Sequence, residues 1–527
     1  MHLVPVIGLE IHIQLKTKSK MFCGCDNSGE DQKPNTTICP ICMGHPGTLP
    51  VINKQALEYG LLMGKALNCE IKNFSKFDRK QYFYPDLPKG YQISQYDKPI
   101  CENGWLNLVI PSKNNLREEA KIRINRAHLE EDAAKLIHEV SHPERLKGVE
   151  GSHGSKLEAS LVDYNRAGTP LLEIVTEPDF YSSLEAKIFM QELRLIARYL
   201  DVSTADMEKG HLRCDANISM RPIVDDAKRD TGSLPKLYPK TEIKNLNSFR
   251  SVERALEYEI KRQTKLWEED NPPTKQSTRG WNDAKQITEE QRIKEEEKDY
   301  RYFPEPDLPP LDLTELKFNL KSMPELPQAK RKRFEEQYGF TSEEAKILTD
   351  DNKLANYTEN IISELESWLL ALGETEGTKE EIIEENKKKL NKLLVGWLVN
   401  KLGGLMTQHK RDIGTIKITP ENFAEFITMI YQNKISGPVA LKILEEMMLT
   451  GKDPSQIMDD GNMAQISNSD ELETIIDEII NANPSEAEGY KNGKETLLQF
   501  FIGQAMKKTQ GKANPQMVEN LIKNKLK

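Results

Sequence analysis

From Leu9 to Ile13 the side chains alternate: Leu9, Ile11 and Ile13 are aliphatic, while Glu10 and His12 are polar. A period of two places the two sets on opposite faces of a β-strand, the aliphatics toward a core. Further β-branched runs, 121–125 and 171–176, recur up to about residue 310 between Gly, Pro and Asn turn signals. Helical spacing intervenes at 54–67, behind a candidate cap at Asn53, and at 183–200. The Pro-dense strip 303–310 should end this region, because consecutive prolines continue neither element. Beyond it the period becomes helical, as in 386–397 and in 439–448, which closes before Gly451. No fixed-length repeat emerges, which argues against a solenoid. The expected architecture is α+β: a sheet-rich domain at 1–312, an all-α domain at 313–455 and a small all-α tail at 456–527. The charged stretch 373–389 reads as an inserted, solvated helix or loop.

Composition narrows the class. The 527 residues are 37% hydrophobic, enough for sizeable cores, and no apolar run reaches the roughly 18 residues of a membrane span. A net charge of -10 argues against a protein that coats nucleic acid. That sum conceals an asymmetry, since 451–488 hold ten acids against one lysine and 489–527 hold eight lysines against two acids. The tail is therefore a basic module. Seven cysteines and a polar N-terminal segment without a signal-peptide pattern suggest a reducing cytoplasm.

Four of those cysteines form two tight pairs, Cys23/Cys25 and Cys39/Cys42, bent through Gly24 and Pro40. Four thiolates so spaced can converge on one tetrahedral Zn²⁺ and fix a loop too polar to fold by burial. Four unrelated buried thiols are the alternative. Cys69, Cys101 and Cys214 are scattered.

Acids embedded in strand-like runs carry the remaining chemistry. Glu10 and His12 share a face; His128, Glu130, Glu131 and Asp132 follow a strand; Glu173 and Glu177 lie near Arg166 in sequence. Carboxylates that meet in a cavity repel unless a cation neutralises them, and oxygen-rich ligation suits Mg²⁺. Acids on a solvated sheet face are the alternative. The segment 77–95 combines Arg79, Lys80, Tyr82, Lys89, Ser94 and Gln95 around Pro and Gly, a composition able to clamp phosphates beside aromatic rings; otherwise it is an aromatic surface loop. Arg213, Asp215 and Asn217, with Glu242 and Lys244, show polar period two and could line one cavity wall. No phosphate-binding GxxxxGK[ST] loop, kinase Gly-rich loop or GxSxG elbow is present. Residues alone thus point to a metal-dependent enzyme handling phosphate or nucleotide, with a basic helical tail.

The motifs at 6–12, 76–95, 128–132, 168–178, 212–219, 244–248 and 299–310 together resemble the B subunits of aspartyl/glutamyl-tRNA amidotransferases, the GatB family. Gln465-Ile-Ser and 511–515 extend the likeness into the tail. The resemblance implies a cradle domain, a helical domain and a YqeY-like tail that reads the outer corner of tRNA. It implies ATP-dependent phosphorylation of the side-chain carboxylate of Glu-tRNA(Gln) or Asp-tRNA(Asn), then amidation by ammonia from a glutaminase partner, in a heterotrimer with the A and C subunits of the amidotransferase. Carried over by motif, Glu10, His12, Glu130 and Glu173 surround Mg²⁺, with Glu131 and Glu208 as neighbours. Arg79, Lys80, Tyr82, Lys89, Ser94, Gln95 and Arg213 contact nucleotide or aminoacylated adenosine, and the four cysteines match a zinc-bearing branch. The rival is a non-catalytic, zinc-clipped tRNA-binding scaffold for a partner enzyme.

Overall fold

The computed structural model describes residues 3–111, 117–137, 160–222, 237–293, 300–314, 323–371, 379–464 and 469–526. Gln465-Ile-Ser, Asp299 and the start of the charged 373–389 stretch lie outside them. Two compact units emerge, Met1–Leu326 and Pro327–Lys527.

The first unit is built on β1 (Leu3–Gln14), α1 (Lys54–Ala66), β2 (Glu70–Ile71), β3 (Phe74–Ser75), β4 (Asp78–Gln81), β5 (Tyr91–Ser94), β6 (Cys101–Val109) and β7 (Glu119–Glu131). It continues with β8 (Lys135–Ile137), β9 (Leu161–Asp163), β10 (Pro170–Thr176), α2 (Ser183–Tyr199), β11 (Leu212–Pro222), β12 (Thr241–Lys244) and α3 (Phe249–Glu268). Strands β13 (Ser277–Asn282), β14 (Ile287–Ile293), β15 (Phe303–Pro304) and β16 (Leu311–Asp312) complete it. Among the described residues, nine strands form one sheet in the order β14-β13-β12-β11-β1-β10-β7-β6-β2. All its pairs are antiparallel except β12 with β13.

Both expected helices form where their caps place them. The Asn53 side chain accepts from the N–H groups of Gln55 and Ala56, and the Ser182 side chain accepts from that of Glu185. Helices α1, α2 and α3 lie against the sheet. Ile7, Leu9, Ile11 and Ile13 of β1 join the same core as Leu57, Leu61, Phe189, Leu193 and Val252 of those helices. Burying one face this way fixes the register, since a one-residue slip would reverse every side chain. The polar partners of the alternation are thereby driven onto the opposite face.

The Pro-dense strip does not end the unit. Phe303–Pro304 pairs with β4 and Leu311–Asp312 with β3, while Leu308 and Leu313 enter the core. A proline-rich segment can do this because each edge pairing is only two residues long.

The second unit is helical throughout its described residues and holds two apolar cores, one spanning Phe334–Ile457 and one Leu472–Leu526. Helix Pro454–Asp460 gives Ile457 to the first core, so the second core starts some residues beyond the expected 455/456 division. The helix Gly437–Thr450 ends at Gly451 in the left-handed conformation, φ 78°. In the tail the basic half folds onto the acidic half: Lys508 pairs with Glu478, and Lys525 with Glu473 and Asp477. No described helix is long and apolar enough to cross a membrane.

Candidate active site and thiol cluster

The polar sheet face carries an acid–imidazole cluster assembled by register. His12 of β1 stands opposite Glu173 of β10 and Arg213 of β11, and Glu173 in turn stands opposite His128 of β7. Glu130 is two residues farther along β7 on the same face, opposite Leu171. His12 Nε2 lies 3.4 Å from Glu130 Oε1 and 3.4 Å from Glu173 Oε2; His128 Nε2 lies 3.4 Å from the same Glu173 oxygen. Two overlapping donor sets result, Glu10/His12/Glu173 and His128/Glu130/Glu173, each with its ligand atoms within 4.8 Å of one another.

Electrostatics show what this arrangement needs. Burial and the neighbouring Glu173 push the Glu10 carboxyl pKa up. Burial opposes charge on His12, but its contacts to Glu130 and Glu173 outweigh that and hold the imidazolium well above its usual range. Burial likewise opposes ionisation of Glu173, yet His128 and His12 hold it well below the usual carboxylate range. Three crowded carboxylates therefore require positive charge, and a divalent cation held by carboxylate oxygens and neutral imidazole would fit. The buried His128 Nδ1 has no hydrogen-bond partner among the described residues.

These groups open into a cavity of about 450 Å³. Lys80, Tyr82, Gln95 and Arg213 line it, as do Asp215, Glu242 and Lys244. Carboxylates of Glu130 and Glu173 favour charged Lys80 despite its burial, and its Nζ sits 5.1 Å from the Tyr300 ring centroid. Arg213 reaches Asp132 at 2.7 Å and Lys244 reaches Asp215 at 2.6 Å. Ser94 lies behind the cavity, its hydroxyl donating to Glu130 Oε2 at 3.1 Å. Gln95 braces the same strand by accepting from Leu129 N–H at 2.9 Å and donating to Ser75.

Four of the expected residues are elsewhere. Residues 77–95 form a β4–β5 hairpin, not an irregular loop, so Arg79 and Lys80 point to opposite sides. Arg79 turns away from the cavity, donating to both oxygens of Glu305 at 2.7 Å and stacking over Tyr91 at 4.4 Å. Lys89 pairs with Glu131 at 2.6 Å beside the thiol cluster, so Glu131 is already neutralised there. Glu208 is exposed in a turn, its N–H bonded to Asp206. Conversely Arg126, Tyr96, Tyr300 and Tyr302 line the cavity without having been singled out, and His128 and Asp132, grouped with Glu130 in the sequence but given no role, line it too. His128 was signalled by its spacing of two from Glu130, and Tyr302 by its spacing of two from Tyr300.

Cys23, Cys25, Cys39 and Cys42 bring their Sγ atoms within 4.8 Å of one another. Asn165 ties their loop to the sheet unit: its Oδ1 accepts from Thr36 and Thr37 N–H, and its Nδ2 donates to Gly29 and Lys33 carbonyls. A hydrogen bond from Cys23 pulls the Cys42 thiol down to about 5, helped by the buried Lys20, whereas burial lifts Cys25 to about 11. One thiolate is thus stabilised, while Cys23 and Cys25 resist ionisation unless a cation arrives. An all-sulfur set of four suits Zn²⁺.

Known proteins match both units of the chain. The GatB/GatE catalytic domain family matches residues 5–319 and the GatB domain family residues 379–526. The chain is 45% identical over 523 residues to the B subunit of the aspartyl/glutamyl-tRNA(Asn/Gln) amidotransferase of Thermoanaerobacter sp. (strain X514), covering 99% of this chain and 98% of that protein. It is 44% identical over 524 residues to the protein of the same description from Rippkaea orientalis (strain PCC 8801 / RF-1), covering 99% and 97%. With matches of this extent over a sheet unit that presents buried acids and a helical unit that ends in a basic tail, the chain belongs to the GatB family of amidotransferase B subunits.

Proposed function

We propose that this chain is the phosphorylating component of a glutamyl/aspartyl-tRNA amidotransferase. The observation that carries the reading is the convergence of Glu10, His12, Glu130 and Glu173 with half-buried Lys80 and Arg213 around one cavity. Glu10, His12, Glu130 and Glu173 would hold Mg²⁺, which when bound would neutralise charge on the transferring phosphoryl group. Lys80 and Arg213 stay protonated and offer cations to phosphate oxygens or to the attacking carboxylate. The tyrosines exclude water from the acceptor end.

In the first step a side-chain carboxylate oxygen of the misacylated residue attacks the γ-phosphorus of ATP, and the bond to the β,γ-bridging oxygen breaks, releasing ADP. Ammonia, supplied by the glutaminase (A) chain within a complex that also contains the small C chain, then attacks the acyl carbon. The carbon–oxygen bond to phosphate breaks, inorganic phosphate leaves with its electron pair, and the nitrogen loses a proton to give the amide. The thiol cluster would bind Zn²⁺ and serve structure, while the tail would contact tRNA, all in the cytoplasm.

A non-catalytic scaffold is not favoured, because it would leave three crowded carboxylates, two of them buried, without purpose. The test is ATP consumption by the assembled heterotrimer with and without Glu-tRNA(Gln). ADP production that depends on the charged tRNA supports the reading, and tRNA binding without turnover overturns it.

A further inference from the structure

The largest fully buried side chains of the described residues are phenylalanines and aliphatics with one exception, Lys20, which is 0% exposed. Its Nζ reaches a single polar atom among the described residues, the Tyr164 carbonyl, at a long 3.5 Å, and it makes no ion pair with a carboxylate there. Glu131 is engaged elsewhere: Lys89 holds it at 2.6 Å, and the Ile93 N–H donates to its Oε1 at 2.9 Å. An ammonium buried without an anion is costly, so this position calls for a negative partner. The thiol cluster is the one its surroundings offer. Gly168, in the left-handed conformation at φ 84°, adjoins both, since a Cβ there would stand 3.5 Å from Lys20 Cδ and 3.5 Å from Cys42 Cβ. The Lys20 main chain is pinned to the same loop, its N–H donating to the Cys25 carbonyl at 3.0 Å and its carbonyl accepting from Asn53 Nδ2 at 3.2 Å. Met21 N–H then donates to the Gly168 carbonyl at 2.8 Å. None of these bonds uses a sulfur atom, so they fix the residue independently of metal.

On the reading of the four cysteines as a zinc site, we propose that Lys20 is its counter-cation, an ammonium built into the interior to offset the charge of the metal–thiolate group and so tighten metal binding. Four thiolates around one divalent ion leave a surplus of two negative charges. Away from water that surplus is expensive, and a fixed cation reduces it. An ammonium on the surface would be screened by solvent and salt; one excluded from solvent is not. Two lysines thereby divide the anions around Gly168, Lys89 answering Glu131 and Lys20 the sulfurs.

The test uses the assembled complex, its zinc affinity measured by competition with a chromophoric chelator and its ligand set by the sulfur-to-metal charge-transfer absorption of added Co²⁺. Lys20→Met keeps the length of the side chain without its charge and should weaken Zn²⁺ binding by about 10- to 100-fold. Lys20→Arg restores the charge and should recover most of that loss. Melting in excess chelator separates this role from a merely structural one, because deleting a buried charge that has lost its partner should leave the metal-free form at least as stable. Unchanged zinc affinity in Lys20→Met, equal losses in the Met and Arg variants, or a metal-free Met variant that melts lower or fails to assemble would overturn the assignment. Absence of sulfur-to-Co²⁺ absorption from the unmutated complex would sink the four-thiolate reading and the role of Lys20 with it, whereas that absorption together with an unchanged affinity in Lys20→Met would sink the role of Lys20 alone.

Discussion

Replacing Ser94 by alanine removes one oxygen atom and probes how the acid cluster is held. Ser94 and Glu130 are both 2% exposed. The hydroxyl fixes Glu130 Oε2, leaving Oε1 directed at His12 3.4 Å away. Without it, that carboxylate can rotate about its last torsion and one oxygen loses its donor. A hydrogen bond to a charged acceptor contributes about 1.5–3 kcal/mol. If Glu130 must keep its orientation in the transition state, the same energy enters the barrier and slows phosphoryl transfer by about 10- to 150-fold. The fold should tolerate the change, because β5 keeps its ladder with β4 and Gln92 Nε2 still donates to the Glu131 carbonyl at 2.6 Å. The assay is single-turnover ADP formation by the complex on Glu-tRNA(Gln), with Mg²⁺ titrated and thermal stability measured in parallel. A rate within about twofold of the unmutated complex at every Mg²⁺ concentration would refute the positioning argument, and so would a rate loss fully restored by lowering the temperature.

Glu173→Gln keeps shape but removes the carboxylate common to both donor sets; phosphoryl transfer should fall by at least about three orders of magnitude, while glutaminase activity and tRNA binding, assayed separately, persist. Cys39→Ser should lower zinc content and open 24–50 to protease, with folding affected more than chemistry; unchanged metal content would exclude the four-sulfur site. Glu425 is pushed up to about 7 by burial and by Asp453, which remains ionised as the cap accepting from Ser455 and Gln456 N–H. A raised folded-state pKa means this carboxyl contributes stability below its unfolded value near 4.5. That contribution disappears as pH rises through about 7, by order of 1 kcal/mol after allowance for solvent screening. Thermal melts from pH 4.5 to 8 should show this slope, and Glu425→Gln should flatten it. Truncation after Met463 should weaken tRNA binding and reduce its salt slope by at most about 3–4, because Lys508, Lys523 and Lys525 are already paired with acids; an unchanged slope would mean the tail lysines are only a solvated face.

The alternation at 9–13 was sufficient to place Glu10 and His12 on one face, because burial of Leu9, Ile11 and Ile13 admits a single register. Asn53 marked a helix start through local hydrogen bonds, and helical spacing alone marked the one at 183, which is why those boundaries were legible. What local pattern cannot supply is which strands become neighbours. Glu173 meets His12 and His128 only through pairings between residues far apart in the chain. The hairpin at 78–94 was hidden by its composition, rich in Pro, Gly and charge. Had it been read as strands, the adjacency of Arg79 and Lys80 would have shown that only one could face the cavity. The counter-ion that holds Arg79 away, Glu305, comes from the Pro-dense strip, a tertiary contact without a sequence signature.

The central claim, that the carboxylate on tRNA is itself phosphorylated in this cavity, is tested most directly by isotope transfer. Glu-tRNA(Gln) bearing ¹⁸O in both side-chain carboxylate oxygens is converted by the complex with unlabelled ATP and glutamine, and the inorganic phosphate is analysed by mass spectrometry. One ¹⁸O should pass to each phosphate released and the other should remain in the amide. Amide formation with unlabelled phosphate would contradict the account, because the carboxylate oxygen would then have left without ever having been bonded to phosphorus.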